Sequence, residues 1–346
     1  MLTVLISLCL LAVAATWVPQ GRTETNTIRR RDTPGCGNKH DFVGKTRKFS
    51  IESSGGKRFY HVHLPDDYDP TSETPLLMAY HGHGQRSTNF QEVSDFSNQD
   101  VNPGMITVYP TGRRLAWEGA SYSEPGVSDL QFTTDLVDRL KNDFCVNDAR
   151  IYAVGHSNGG GFVNTLACST EHGAQFAAFA GVASALYTDL QGNKSCSPSR
   201  SPLPVFEAHG TKDEVIPYEG GKATGGRVPA IPEWVGRWAE RNQCSSPEKH
   251  DLPKNVVDES FTCDGRHGLQ RHVRLDGHNH SYPDAEDSQL FVTPMIVDFL
   301  NAQKHPNSKV SEPSGAPRKF IGGVAMYMTR LVEYLRLSRA QALISN

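Results

Sequence analysis

The feature that most constrains this chain is a short apolar run, Ile151 to Val154, that ends in the pentapeptide Gly155-His156-Ser157-Asn158-Gly159. The run predicts a buried strand, and the segment from 160 to 167, which begins with two glycines, predicts a helix directly after the pentapeptide. Because glycine has no Cβ atom, Gly155 and Gly159 allow this strand and helix to approach closely. The motif therefore predicts a sharp turn that holds Ser157 in strained backbone at the carboxyl end of a parallel sheet, with its hydroxyl exposed as a nucleophile.

The start of the 346-residue chain differs in composition from its middle. Residues 2–15 are almost wholly apolar but too few to span a membrane, and Ala12-Val13-Ala14 fits a cleavage site. We expect a signal peptide over 1–18 and a secreted, extracellular protein, although no Lys or Arg precedes the apolar run; a lone membrane anchor is the alternative. The basic run Arg29-Arg30-Arg31 predicts a processing site that ends a propeptide over 19–31, with a solvated charge cluster as the competing interpretation.

Cysteine usage supports the expectation of secretion. One of the seven cysteines, Cys9, lies in the predicted signal peptide, and the other six make the even number expected in an oxidising compartment. Scattered buried thiols are the alternative. We predict one long-range and two local disulfides: Cys36–Cys145, Cys168–Cys196 and Cys244–Cys263. Asn193 begins an Asn-Lys-Ser sequence, which predicts a glycosylation acceptor on a loop.

Charge separates the body of the chain from its two ends. The segment 32–301 carries 24 basic and 35 acidic residues, a formal charge of −11. Such a body repels nucleic acid and anionic membranes, so we expect neither as a partner. The composition shifts after Asn301, and 302–346 reads as a linker and non-catalytic tail; its stretch from 324 to 344 predicts a short amphipathic helix, with surface binding as the alternative. The oligomeric state is left open.

Strand and helix patterns alternate between about residue 40 and 301. Short apolar or alternating runs predict strands, and 3.6-residue periodicity after Ser128, at Pro232 and over 293–300 predicts helices. The predicted strands are 57–64, 75–80, 105–109, 151–154, 203–209 and 272–275. This alternation indicates an α/β protein with a doubly wound, mainly parallel sheet, and we expect a single catalytic domain over 32–301.

A serine nucleophile needs a base, an acid that orients the base and donors for the developing oxyanion. In an α/β-hydrolase, the fold that this motif predicts, the partners follow in the order Ser, acid, His. Asp213 lies after the 203–209 strand and is the predicted acid, with Glu214 as its competitor. The base lies beyond the last strand, where both His280 and His278 qualify; we prefer His280.

Oxyanion donors are expected from backbone N–H groups at His83, in the loop after the 75–80 strand, and at Asn158. A metal hydrolase is the competing interpretation, because histidines stand two apart on this chain in three places. No carboxylate or further histidine stands at metalloenzyme spacing beside them, so we expect neither a metal nor another cofactor. The three pairs are His61/His63, His81/His83 and His278/His280.

Several motifs resemble one enzyme family. They are 150–162, the 209–221 run His-Gly-Thr-Lys-Asp-Glu-Val-Ile-Pro-Tyr-Glu-Gly-Gly, Tyr80-His81-Gly82-His83-Gly84, Trp117-Glu118-Gly119-Ala120 and Gly35-Cys36-Gly37. Together they resemble fungal feruloyl esterases, whose carbohydrate esterase group includes acetylxylan esterases and is related to secreted polyhydroxybutyrate depolymerases. The resemblance covers roughly 35–300. It implies a triad of Ser157, Asp213 and His280.

The resemblance is imperfect at the base, where the family commonly has Gly-His-x-Trp-Pro and this chain has 277–283, Gly-His-Asn-His-Ser-Tyr-Pro. Either Tyr282 replaces the Trp and His280 is the base, or two residues are inserted after His278. Both assignments stay open on the sequence.

The resemblance also implies the reaction. It indicates a secreted serine esterase that hydrolyses feruloyl (hydroxycinnamoyl) esters of plant cell-wall polysaccharides or oligosaccharides such as arabinoxylan, releasing ferulic acid through an acyl-enzyme. The alternatives are an acetylxylan esterase or polyester depolymerase of the same group, and a non-catalytic binding protein on the hydrolase fold. Four aromatic residues are candidates for holding a phenolic ring, with at least two of them expected in the core: Trp117, Tyr122, Tyr218 and Trp234.

Overall fold

The computed structural model describes residues 33–191, 194–287 and 289–306. The predicted signal peptide and propeptide, nearly all of the predicted tail and the glycosylation candidate Asn193 lie outside the described residues. Among the helices that are described, none is both long and apolar enough to cross a membrane.

The described residues form twelve strands and five α-helices, joined by short 3₁₀ turns. The strands are β1 (Thr46–Ser53), β2 (Gly56–His63), β3 (Thr74–Tyr80), β4 (Ile106–Pro110), β5 (Val146–His156), β6 (Ala178–Val182), β7 (Val205–Gly210), β8 (Gly221–Ala223), β9 (Gly226–Val228), β10 (Glu248–Leu252), β11 (Val256–Cys263) and β12 (Arg266–Leu275). The helices are α1 (Ser87–Ser94), α2 (Asp129–Asp143), α3 (Asn158–Ala167), α4 (Ile231–Arg241) and α5 (Thr293–Asn301).

Ten of these strands form one sheet in the order β1-β2-β4-β3-β5-β6-β7-β12-β11-β10, and β8 pairs with β9 alone. The six central strands, β4-β3-β5-β6-β7-β12, run parallel to one another. Antiparallel strands extend the sheet on both sides. The mainly parallel sheet predicted from the sequence is confirmed. The elements that were not predicted are β1, β6, β8, β9, β10, β11 and α1.

Alternate residues of the central strands face two separate cores. In β3, Met78 and Tyr80 belong to the cluster beneath α2, α3 and α4, whereas Leu77 and Ala79 belong to the cluster beneath α1 and α5. Helices therefore cover both faces of the sheet, which explains why the central strands read as continuous apolar runs. Complete burial of a side chain the size of Leu77 or Met78 contributes about 1.5–3 kcal/mol to the free energy of folding, relative to leaving it exposed.

Three disulfides join the described cysteines in the predicted pairs, Cys36–Cys145, Cys168–Cys196 and Cys244–Cys263. The first spans 109 residues and attaches the N-terminal segment to the start of β5. The strand that ends at Ser157 is thus covalently tied at its other end.

Candidate active site

Ser157 occupies the turn between β5 and α3 with φ 55° and ψ −119°, a conformation that is strained for a residue with a side chain. The turn is tight, since a Cβ atom on Gly155 would lie 2.3 Å from the Gly159 carbonyl carbon, and one on Gly159 would lie 2.2 Å from the Tyr80 oxygen. The Ser157 N–H donates to the Val182 oxygen at 2.9 Å. Backbone contacts on both sides therefore hold the predicted elbow in place.

His280 lies between Ser157 and Asp213. Its Nε2 is 2.8 Å from Ser157 Oγ, and its Nδ1 is 2.6 Å from Asp213 Oδ2. Because a carboxylate only accepts, we assign the proton to Nδ1, which leaves Nε2 free to accept from the serine hydroxyl. The structure thus brings together the three residues predicted as a triad.

The Asp213 carboxylate is buried and well supplied with donors. Its Oδ1 accepts from the N–H groups of Val215 and Ile216 at 2.9 and 2.7 Å. Burial alone raises the pKa of Asp213, but hydrogen bonds from His209 and His280 outweigh it and hold that pKa well below its usual range. Asp213 is ionised, and its neighbour Glu214, the competing acid, is exposed.

The alternative base His278 points elsewhere. It is only 8% exposed, its Nε2 lies 3.1 Å from the Ser281 oxygen and its Nδ1 lies 3.5 Å from Asp287 Oδ2. These contacts hold the loop that carries His280 rather than placing a base at Ser157. Tyr282 is buried behind this loop, with its hydroxyl 2.8 Å from Thr293 Oγ1.

Two backbone N–H groups near Ser157 are available to an oxygen atom of a ligand. Asn158 is the first residue of α3, so its N–H has no intrahelical acceptor. The N–H of His83 donates to no group in the part of the chain that the structure describes. The preceding residue contacts the elbow, because a Cβ atom on Gly82 would lie 3.4 Å from Ser157 Cβ.

The side chain of Asn158 performs a task that the motif alone did not indicate. Its Oδ1 accepts from the Trp117 N–H at 2.7 Å, and its Nδ2 donates to the Trp117 oxygen at 3.2 Å. The Trp117 indole N–H in turn donates to the His81 oxygen at 2.8 Å. Trp117 is fully buried and connects the elbow to the loop after β3. It is therefore not available to a substrate, contrary to its candidate role.

Two further aromatic candidates also belong to the core, which confirms the expectation that at least two of the four lie there and removes both as substrate contacts. Trp234 is buried and its indole N–H donates to Asn164 Oδ1 at 3.1 Å. Tyr218 is buried and its hydroxyl lies 3.1 Å from His272 Nε2. Both rings satisfy their polar atoms inside the protein, as buried aromatic residues usually do.

Tyr122 is the aromatic candidate that remains accessible. It is half-buried, and its ring stacks on the exposed ring of His83 with centroids 3.8 Å apart and planes at 15°. Tyr187 meets Tyr122 edge-on at 6.3 Å. An aromatic surface therefore stands beside the residue whose N–H is a predicted oxyanion donor.

His156, inside the pentapeptide, contacts the backbone of His280, the predicted base. Its Nε2–H donates to the His280 oxygen at 3.1 Å, and the two rings lie 5.3 Å apart. Burial lowers the pKa of His156 to about 3, so the ring is neutral. Sequence reasoning treated this residue as the variable position of the motif and missed its role.

The histidine pairs that suggested a metal site are engaged in hydrogen bonds. His61 Nδ1 lies 3.0 Å from Ser87 Oγ, His63 Nδ1 lies 3.1 Å from Thr46 Oγ1, and His81 Nδ1 lies 2.7 Å from the Gly82 oxygen. Among the described residues, one cluster has the spacing of a metal site, Cys168, Asp189 and Cys196, and both of its cysteines are consumed by a disulfide.

No family model matches the chain. Among curated proteins, feruloyl esterase B of Piromyces equi is 27% identical over 67% of this chain and 44% of its own length. A bifunctional acetylxylan esterase/xylanase of Neocallimastix patriciarum is 26% identical over 70% of this chain and 34% of its own. The chain thus spans less than half the length of these two homologues. Feruloyl esterase C of Emericella nidulans is 25% identical over 56% of this chain and 67% of its own length.

Solved structures show the same fold. An acetyl xylan esterase from Aspergillus awamori superposes with a TM-score of 0.52 at 13% identity, covering 74% of this chain and 99% of that one. A thermostable esterase superposes with a TM-score of 0.51 at 17% identity, covering 77% and 65%. These likenesses show that the chain has the α/β-hydrolase fold.

Proposed function

We propose that this chain is a serine esterase that cleaves carboxylic esters through an acyl-enzyme. The observation that carries the proposal is the continuous hydrogen-bonded row from Ser157 Oγ through His280 to Asp213, at 2.8 and 2.6 Å. In this geometry His280 Nε2 takes the hydroxyl proton as Oγ attacks the ester carbonyl carbon. Asp213 stabilises the imidazolium that forms.

The attack gives a tetrahedral intermediate, and groups already in place stabilise it and help it to collapse. The N–H groups of His83 and Asn158 donate to the carbonyl oxygen as it gains negative charge. His280 returns its proton to the leaving alcohol, and the carbon–oxygen bond to that alcohol breaks. A water molecule, deprotonated by His280, attacks the acyl carbon and releases the acid and Ser157.

The proposed substrates are hydroxycinnamoyl esters of plant cell-wall polysaccharides. Two of the relatives described above are named feruloyl esterases, which supports this acyl group. The stacked rings of Tyr122 and His83 offer a phenolic ring an aromatic surface beside the ester position. Three disulfides suit the secreted, extracellular location that such a substrate requires.

An acetylated polysaccharide is the second candidate substrate. A curated relative combines acetylxylan esterase with xylanase activity in its name, which supports an acetyl group. A catalytic role for the row of Ser157, His280 and Asp213 is common to both candidates. What separates them is whether the aromatic surface at Tyr122 contributes binding.

A substrate panel tests the proposal. Purified protein is given methyl ferulate, methyl p-coumarate, methyl caffeate, naphthyl acetate and acetylated xylan, with Ser157→Ala as the control variant. We expect release of hydroxycinnamic acids by the wild type and loss of all hydrolysis in Ser157→Ala. Acetate release without ferulate release favours the second candidate. Wild-type protein that hydrolyses none of these esters, or a Ser157→Ala variant that hydrolyses them as well as the wild type, overturns the esterase assignment.

A further inference from the structure

A third histidine lies buried behind the acid of the row. His209, near the end of β7, has oxygen atoms facing both of its ring nitrogens. Its Nδ1 is 3.0 Å from Glu207 Oε1, and its Nε2 is 2.9 Å from the Ile216 oxygen and 3.3 Å from Asp213 Oδ2. The ring therefore stands between two buried carboxylates, one of which orients His280.

The partners of this ring indicate how many protons it holds. A backbone carbonyl only accepts, so Nε2 must carry a hydrogen to bond the Ile216 oxygen. The Glu207 carboxylate already accepts from the Ser184 N–H at 2.9 Å and from the Ser184 hydroxyl at 2.6 Å. A carboxylate buried at this depth beside a second buried carboxylate is stabilised by a positive partner, and His209 Nδ1 is within hydrogen-bond distance to donate to it. Protons on both nitrogens make His209 an imidazolium.

The titratable groups around His209 are neutral or already paired with another group. His209 is therefore the group that supplies positive charge to this cluster. Burial lowers the pKa of His272, which favours the neutral ring. Its Nδ1–H then donates to the Glu207 backbone oxygen at 3.1 Å, and its Nε2 lies 3.1 Å from the Tyr218 hydroxyl. Arg274, opposite His209 on β12, is paired with Asp276 at 2.8 Å. The remaining titratable groups near the cluster are His156, which burial keeps neutral, and Glu259, which is paired with Lys249.

The electrostatics of the site agree with this assignment. Burial alone lowers the pKa of His209, but its hydrogen bonds to Asp213 and Glu207 outweigh burial and raise that pKa to about 9. A fixed positive charge beside Asp213 favours the ionised carboxylate. It also repels a second positive charge on the neighbouring base of the row.

We propose that His209 is a positioning residue that stays protonated throughout the reaction with Glu207 as its counter-ion, and that its positive charge holds Asp213 in place and extends ester hydrolysis to more acidic pH. This inference rests on the hydrolase function proposed above. It adds Glu207 and His209 to the residues that set the working range of the site, without assigning either a contact with substrate.

The first test is the pH dependence of kcat/KM on p-nitrophenyl acetate for the wild type, His209→Gln and Glu207→Gln. We expect His209→Gln to move the acidic limb of the curve of kcat/KM against pH to higher pH by about 0.5 to 1 unit, since the substitution removes the positive charge. Glu207→Gln removes a negative charge instead and leaves the limb in place or moves it downward. The matched control is His272→Gln, which replaces a buried histidine on the neighbouring strand. We expect its acidic limb to lie at the same pH as that of the wild type.

The second test does not depend on activity. NMR of ¹⁵N-histidine-labelled wild-type protein, with the His209 signals assigned by their loss in His209→Gln, should show both ring nitrogens protonated at pH 7. A ring with one protonated nitrogen at that pH overturns the proposal, as does an acidic limb that moves no further in His209→Gln than in His272→Gln. If His209→Gln does not fold, the double variant Glu207→Gln/His209→Gln supplies the pH profile, and its acidic limb is compared with that of Glu207→Gln, from which it differs only at residue 209. Protein that hydrolyses no ester refutes the proposed function alone, because the NMR result still decides the state of His209.

Discussion

Asn158 and Trp117 are joined through both polar atoms of the asparagine side chain, with Oδ1 accepting at 2.7 Å and Nδ2 donating at 3.2 Å. The same residue contributes its backbone N–H to the proposed oxyanion hole. The residue after the nucleophile therefore links the elbow to the loop that carries Trp117. This bidentate contact fixes the direction of the N–H without involving the side chain in the reaction.

Asn158→Ala keeps the backbone N–H but removes both side-chain bonds. We expect the free energy of unfolding to fall by about 1–3 kcal/mol, because the buried polar groups of Trp117 lose their partners. We also expect kcat to fall about tenfold or more through misalignment of the N–H. Asn164→Ala is the matched control, since Asn164 lies on the same helix and bonds Trp234 and Trp238. A similar fall in kcat for both variants would refute a specific role for Asn158.

The two histidines after the last strand should separate cleanly by mutation. His280→Ala is expected to lower kcat/KM for any ester at least about a thousandfold, because Ser157 loses its base. His278→Ala is expected to keep most of the activity and to lower the melting temperature, because it loosens the 278–287 loop. Initial rates and thermal melts of the two proteins check this. Greater loss of activity in His278→Ala would reverse the assignment of the base.

The aromatic surface predicts a substrate-dependent effect. Tyr122→Ala should raise KM for methyl ferulate about tenfold, because it removes the ring that stacks on His83. KM for naphthyl acetate serves as a comparison with a small acyl group and should change little. Tyr122→Phe retains the ring and is expected to behave like the wild type. Equal changes for both esters would show that Tyr122 supports the fold and not the acyl group.

Acid stability should depend on His156. Its folded-state pKa of about 3 lies below the ordinary value near 6.5, so between these values the unfolded chain binds more protons. The stability that His156 contributes is present above about pH 6.5 and is lost as the pH falls toward 3. The loss is about 3 kcal/mol near pH 4. Denaturant unfolding at pH 4 and pH 7 should give a smaller difference for His156→Gln than for the wild type, whereas equal differences contradict the prediction.

His209 is expected to act at the other end of the pH range. Its folded-state pKa of about 9 lies above the ordinary value, so its contribution is complete below about pH 6.5 and is lost as the pH rises through 9. Unfolding measured at pH 7 and pH 9.5 should show this loss in the wild type. The double variant Glu207→Gln/His209→Gln should lose less stability over that interval, and an equal loss in both proteins argues against a buried imidazolium.

The chain order of Ser157, Asp213 and His280 could be predicted because each residue follows a strand of the same parallel sheet. Apolar runs mark those strands, and strand ends on one edge converge. The choice between His278 and His280 could not be made in this way, because both lie in one loop and only its path decides which ring reaches Ser157.

The supporting residues were harder to predict for a related reason. His156, His209 and the side chain of Asn158 act through contacts between segments distant in sequence, and no local pattern encodes such contacts. Trp117 and Tyr218 looked like ligand-binding aromatics because composition does not reveal which face of a loop is buried. Strand β6 was missed because its Ala-Phe-Ala-Gly-Val sequence is short and made mostly of small residues.

The bond between Cys36 and Cys145 encloses the loop after β3, with His83, in one covalent ring that closes at the start of the nucleophile strand. Exposed loops within that ring are the preferred targets of proteases. A single cut there would leave a two-chain protein whose halves cannot diffuse apart, so the donor loop and the serine would stay in one particle. In denaturing gel electrophoresis, nicked molecules should migrate as one band without reducing agent and as two bands with it.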